Sequence, residues 1–185
     1  MSVIVISFVT LDGIASDPDG SAGSAHGGWM FRFGRGPVDG DKFRLGALMT
    51  EGVLLLGRGT WQAFARMWPT RESEFAERMN AADKLVATRT AFDTSAWANS
   101  VALEGDLLDR IKQEPRDVVV IGSLGIVRQL AEADLVDEYR LLTFPTVLGG
   151  GEPLLPAGVG AAQFDCVEAE LAGELVFTRY RRAGR

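Results

Sequence analysis

Three short segments carry the residue types that hold a phosphate. The first, Gly57-Arg58-Gly59-Thr60, directly follows the apolar run Val53-Leu54-Leu55-Leu56 and opens a helical stretch over residues 60–67. A strand that passes through a glycine turn into a helix N-terminus is an anion site, because free N–H groups and the helix dipole converge there. Glycine lets a ligand approach the backbone closely. Thr60 is placed to cap the helix and to donate to a phosphate. Arg58 adds a fixed charge suited to a phosphate monoester. The plainer reading is a strand–turn–helix with a surface arginine.

Gly122-Ser123-Leu124-Gly125 repeats the arrangement after the apolar run at 118–121. It lacks the GxGxxG spacing, and no acid follows at the distance of a ribose ligand, so the usual dinucleotide fingerprint is absent. Ser123 makes a poor nucleophile: there is no nucleophile elbow, and the one histidine available as a base is His26, in a glycine-rich segment. An N-cap or phosphate-donor role suits it better. Thr88-Arg89 closes a third β-rich run, where a basic residue could meet a phosphate on a ribose or simply be solvated. All three segments follow strands, and strand C-terminal ends are where α/β sheets bind ligands.

The elements that must position these turns alternate. β-rich runs lie at 3–9, 53–56, 84–88, 117–121 and 139–144, and the runs at 166–171 and 175–180 flank a glycine turn as a hairpin. The runs at 53–56 and 117–121 are continuously apolar, as in strands buried on both faces. Helical spacings occupy 41–50, 60–67, 71–82, 107–113 and 123–133. This alternation implies a largely parallel sheet with right-handed crossovers, closed by an antiparallel edge.

Bulk properties narrow the function. The chain has 185 residues, 46% of them apolar, enough for one domain over 1–185 with a sizeable core. A net charge of −6 favours neither nucleic acid nor an anionic membrane. One histidine and one cysteine cannot build a zinc site of the usual kind, and no metal is expected. The single Cys166 precludes an internal disulfide, which suits the cytoplasm. The first residues read as a strand, not a signal peptide, and no apolar run reaches the roughly 18 residues of a membrane span.

Residues 11–40 differ from the rest, with eight glycines, two prolines and the aromatics Trp29, Phe31 and Phe33. A loop this long is functional or disordered, and aromatics favour function.

The ordered series Leu11-Asp12-Gly13, Leu56-Gly57-Arg58-Gly59-Thr60-Trp61, Val86-Ala87-Thr88-Arg89 and Val120-Ile121-Gly122-Ser123 covers much of the chain. It continues with Asp137-Glu138, leading to Pro145-Thr146-Val147-Leu148-Gly149-Gly150-Gly151. Taken together it resembles the dihydrofolate-reductase-like superfamily, in the branch related to the reductase domain of bifunctional riboflavin-biosynthesis proteins. The resemblance implies a three-layer α/β fold: a mostly parallel central sheet of about eight strands, a C-terminal antiparallel hairpin and helices on both faces. It also implies NADPH across the strand ends and a homodimer. Arg58 and Arg89 match the 2′-phosphate positions, and Thr60, Ser123 and the backbone from Gly122 through Leu124 to Gly125 match the pyrophosphate positions. Gly57, Gly59 and Thr88 belong to the same turns.

The expected activity is hydride transfer to a small conjugated acceptor, pterin- or pyrimidine-like. The alternative is an NADP(H)-binding domain without chemistry. A reductase needs a proton source as well as the cofactor. Asp41, 16 positions before Gly57, has a spacing similar to the substrate-binding acid of dihydrofolate reductases, although a helix N-cap explains it too. Asp12 lies in the signature turn of the branch, and its alternative is an Asx-type turn. Thr143 matches a threonine near the substrate. Trp29 and Trp61 are suited to stacking on a flat substrate or to packing.

Overall fold

The computed structural model describes residues 1–34 and 36–184. Eight strands form one sheet: β1 (Val3–Thr10), β2 (Val53–Gly57), β3 (Lys84–Ala87), β4 (Ser100–Leu103), β5 (Val118–Ile121), β6 (Glu138–Phe144), β7 (Phe164–Ala172) and β8 (Leu175–Arg182). Their spatial order is β4-β3-β2-β5-β1-β6-β8-β7. Every pair from β4 to β6 is parallel, and β8 and β7 add an antiparallel edge. The continuously apolar β2 and β5 lie at the centre, as their sequences require.

Helices cover both faces. On one face α1 (Leu48–Glu51), α2 (Arg58–Met67) and α3 (Glu74–Ala81) place Met49, Trp61 and Met79 against Ile4, Ile6, Leu54, Leu56 and Leu142. On the other, α4 (Leu107–Gln113) and α5 (Leu124–Glu132) place Ile111, Ile126, Val127 and Leu130 against Val3, Val5, Val53, Leu55 and Val120. The alternation of side chains along each strand thus splits the core into two layers. This is the dihydrofolate-reductase-like α/β architecture.

Two expectations change. The helix expected over 41–50 shrinks to α1, because the Asp41 carboxylate accepts from Leu45 N at 2.7 Å and Gly46 N at 2.8 Å. Arg44 and Gly46 also take positive φ, which a helix cannot carry. The sequence reading also missed β4, whose four residues Ser-Val-Ala-Leu are too short for a periodic signal.

A buried ionic cluster fastens the start of β6. Glu138, 5% exposed, accepts from the Nε groups of Arg140 at 2.6 Å, Arg179 at 2.7 Å and Arg181 at 3.0 Å. Arg140 also donates through Nη1 to the carbonyls of Phe43 and Arg44. Arg44 in turn pairs with Glu168 and Glu170 of β7. The segment before α1 is thereby tied to the C-terminal hairpin.

Candidate functional site

The site begins where β5 stops. Its last residue, Ile121, pairs with Ile6, whereas β1 runs on to Thr10, paired only with β6. A notch therefore opens between β1 and β2 above the end of β5. The chain leaves β2 on one face through α2 and leaves β5 on the other through α5. Such divergence marks the crevice where α/β sheets bind ligands.

Ser123 joins the two glycine turns across this crevice. Its Oγ accepts from Gly57 N at 2.7 Å and lies 2.8 Å from Thr60 Oγ1. The approach is close enough to require glycine: a Cβ on Gly57 would stand 2.6 Å from Ser123 Oγ, and one on Gly122, at φ +60°, 3.2 Å from Thr60 Cγ2. Neither threonine nor serine caps in the expected way. The N-cap of α2 is Gly57, with no side-chain cap, and Ser123, at the N-cap of α5, aims its hydroxyl across to Gly57. The first amides of both helices thus lack side-chain caps and face the strand ends, as an anion cradle needs.

Arg58 reaches the third turn. Its guanidinium lies 4.7 Å from the centroid of the Phe92 ring, and Nη1 donates to Thr90 Oγ1 at 3.3 Å. Thr88 Oγ1 donates to Thr90 O at 3.0 Å and shapes that turn. Arg89 and Arg58 are both exposed. The structure therefore brings together Gly57, Arg58, Gly59, Thr60, Thr88, Gly122 and Ser123, with Arg89 adjacent in the third turn, from three separate stretches of sequence.

The proposed proton donors fare differently. Asp12 accepts from Thr10 Oγ1 at 2.5 Å, Gly149 N at 2.8 Å and Leu148 N at 3.2 Å. The hydrogen bonds from Thr10 and Gly149 hold its carboxyl below the ordinary carboxylate range. An acid already ionised in this way is a poor donor at neutral pH. Asp12 instead clasps the 146–151 turn to the end of β1, helped by Leu11 N to Thr146 O and Ala15 N to Glu152 O, both 2.9 Å. Asp12→Ala is expected to speed hydrogen exchange at Leu148 and Gly149 by roughly tenfold. Unchanged exchange there would refute the clasp. Asp41 is corrected too, since both its oxygens hold the backbone at Leu45 and Gly46.

The expected stacking platform is also corrected. Trp29 is fully buried, donates Nε1 to Ser16 O at 3.0 Å and meets Phe144 edge-on. Trp61 donates to Ser100 Oγ at 2.9 Å and meets Phe92 edge-on. Both indoles are core. Thr143 stands half-buried in β6 between Val9 and Val176. One residue escaped the sequence reading. Lys42 is half-buried with its Nζ 5.8 Å from the centroid of Phe8, which lies in β1 beyond the end of β5. Burial pushes its ammonium down to about 8. A lone lysine with no motif around it gives no sequence signal.

Two clefts, of about 370 and 540 Å³, lie away from this crevice, one beside Tyr139, Leu154 and Tyr180 and one beside Ser2, Asp117 and Arg140. No group of three His, Cys, Asp or Glu among the described residues could hold a metal ion. No helix of the described chain is long and apolar enough to cross a membrane.

The sheet order, the joined turns and the hairpin define the dihydrofolate-reductase-like class of α/β fold. A family model described as the RibD C-terminal domain matches residues 1–177, so the chain belongs to that family. A curated relative, the uncharacterised protein YyaP of Bacillus subtilis (strain 168), is 29% identical over 111 residues, 55% of this chain and 58% of the relative. That match spans well under two thirds of the relative's length. A solved structure from Shewanella sp. PV-4, named as a candidate riboflavin biosynthesis protein, has a TM-score of 0.74 at 22% identity, covering 98% of this chain and 99% of that one. Dihydrofolate reductase from Enterococcus faecalis, complexed with NADP(H), has a TM-score of 0.57 at 11% identity, covering 98% and 96%. At such identities the two structures share the fold.

Proposed function

We propose that this chain is a cytoplasmic, homodimeric, NADPH-dependent reductase of a small conjugated heterocycle, pterin- or pyrimidine-like. The observation that carries the cofactor assignment is the bridge from Ser123 to both Gly57 and Thr60, which makes one cradle of two helix N-termini. The backbone of Gly59 and Thr60 and that of Gly122, Ser123, Leu124 and Gly125 would hold the pyrophosphate. Arg58, steadied by Phe92 and Thr90, would meet the 2′-phosphate together with Thr88 and Arg89. The bound nicotinamide would supply the hydride. Thr143, half-buried near the end of β6, matches a threonine that lies near the substrate in the superfamily. Cys166, exposed and unpaired, suits a reducing compartment.

The test is a fluorescence titration with NADPH and NADH. NADPH is expected to bind more tightly, and Arg58→Ala to weaken NADPH by about 10–100-fold with NADH little changed, the range of one charge-assisted contact. Equal affinities, or no binding of either, would sink the reading. Binding without turnover is the rival. It is favoured by one observation, that the carboxylates of Asp12 and Asp41 are both occupied by backbone amides. NADPH consumption with any of a panel of oxidised pterins, pyrimidines and quinones decides against that rival.

A further inference from the structure

A wall of arginines stands at the foot of the sheet, far from the crevice. Strand pairing sets Glu138 beside Arg181 and Arg140 beside Arg179, where β6 begins and β8 ends. All three arginines give Nε to the one Glu138 carboxylate. Their side chains run from floor to rim, 6% exposed for Arg140, 26% for Arg179 and 56% for Arg181. The Nη groups of Arg179 and Arg181 take no partner among the described residues. These four residues line the cleft of about 540 Å³ that also borders α1. Most other acids nearby are occupied. Glu168, opposite Arg179 in β7, and Glu170 both pair with Arg44. Asp117 and Asp137, which also line the cleft, accept from Ser2 N at 2.7 Å and Val3 N at 2.8 Å. Glu51, at the end of α1, and Asp165, opposite Arg181, are exposed to water.

Three guanidinium groups on one carboxylate leave an excess of positive charge, in a chain whose net charge is −6. A guanidinium bound through Nε still presents the fork of its Nη groups, the geometry that fits an oxyanion. We propose that this cleft binds a phosphate group, free or carried by a small molecule, on the Nη edges of Arg179 and Arg181, with Arg140 as the floor. Charge density selects phosphate. A phosphate monoester carries close to two negative charges in one compact group at neutral pH. The three arginines converge on a single carboxylate, so their outer edges lie close together as well. A dicarboxylate would spread the same charge over a wider span. The cleft is separate from the cofactor crevice. Ile4 of β1 pairs with Glu138 and Thr10 with Phe144. The six steps between them rise roughly 20 Å, so a phosphate here leaves the crevice open.

Calorimetric titration of the full chain with inorganic phosphate, glycerol 3-phosphate and acetate tests the site. Phosphate is expected to bind at least about tenfold more tightly than acetate. Binding of either phosphate compound supports the site, and the tighter of the two identifies the source. Arg181→Gln is expected to weaken phosphate by about 10–100-fold, the range of one charge-assisted contact. Arg181 is more than half exposed, so folding should survive, and circular dichroism checks this. Arg179→Gln gives an independent second variant. Arg181→Lys separates a built site from a general positive field, because lysine keeps the charge and loses the fork. Phosphate binding should stay weakened in it. Arg58→Ala, in the crevice, should leave this phosphate affinity unchanged. The absence of phosphate binding at millimolar concentration overturns the proposal. So does full affinity in folded Arg181→Gln or Arg181→Lys. Loss of phosphate binding in Arg58→Ala overturns it too, since the anion would then occupy the cofactor cradle. NADPH affinity should be the same in Arg181→Gln as in the wild type, so failure of this site leaves the cofactor reading standing.

Discussion

Glu138→Ala is expected to destabilise the fold by about 3–5 kcal/mol, the usual cost of removing one partner from a buried ionic cluster. The carboxylate is 5% exposed and accepts from three guanidinium groups. Its removal leaves Arg140, also 5% exposed, facing Arg179 and Arg181 with no counter-charge. Arg140 holds the carbonyls of Phe43 and Arg44, so the segment before α1 should loosen as well. Burial raises the carboxyl of Glu138, but the hydrogen bonds from Arg179, Arg140 and Arg181 outweigh it and leave the value lowered. A depressed acid contributes stability above its unfolded value, and this is lost as pH falls through the folded one. The wild type should therefore lose stability below about pH 4.5, and Glu138→Ala should lose less over that range. Urea unfolding at pH 7 and pH 4 measures both effects. A deficit under about 1 kcal/mol at pH 7 would show that the cluster is dispensable.

Lys84→Met is the second large perturbation, with an expected loss of about 2–4 kcal/mol. Lys84 is 1% exposed at the start of β3, and its Nζ donates to Ala82 O at 2.5 Å, Ala98 O at 3.0 Å and Asn80 O at 3.1 Å. It also lies 4.4 Å from the centroid of Trp97. Methionine fills the space but leaves Ala82 O and Ala98 O without this donor, whereas Asn80 O keeps Asn99. Burial pushes the ammonium down to about 8 from 10.5. Between those values the unfolded chain binds more protons than the folded one, so stability rises with pH across that window. Lys42 titrates in the same window and contributes its own part. Lys84→Met should accordingly show a smaller rise between pH 7.5 and 10 than the wild type. Equal rises would mean that Lys84 does not titrate there.

Much of the scaffold was legible because its central strands are unambiguous. Val53 to Leu56 and Val118 to Ile121 are fully apolar and are followed by glycine, so both the strand and its exit turn could be read. The convergence of Gly57, Thr88 and Gly122 followed from three turns of one kind. The partners of those turns were not legible. That Ser123 Oγ would accept from Gly57 N, 66 positions away, depends on how far β5 reaches beside β2, and no local pattern encodes that. Asp12 and Asp41 looked like proton donors because a carboxylate beside glycine has the same sequence whether it faces a substrate or a backbone amide. Trp29 misled for a related reason: a glycine-rich neighbourhood suggests exposure, yet its ring fills the core beneath the loop. Lys42 shows the converse, since its altered acidity comes from burial that only the folded chain creates.

The bond from Gly57 N to Ser123 Oγ also bears on speed. It locks the two turns in register while the chain folds, so the cradle exists before any ligand arrives. Little loop ordering is then left for the binding event, and the entropic cost of shaping the pocket falls on folding. Association should accordingly follow a single phase whose rate scales with ligand concentration, with no slow step behind it. In Ser123→Ala the turns are no longer tethered, and a slow, concentration-independent phase should emerge.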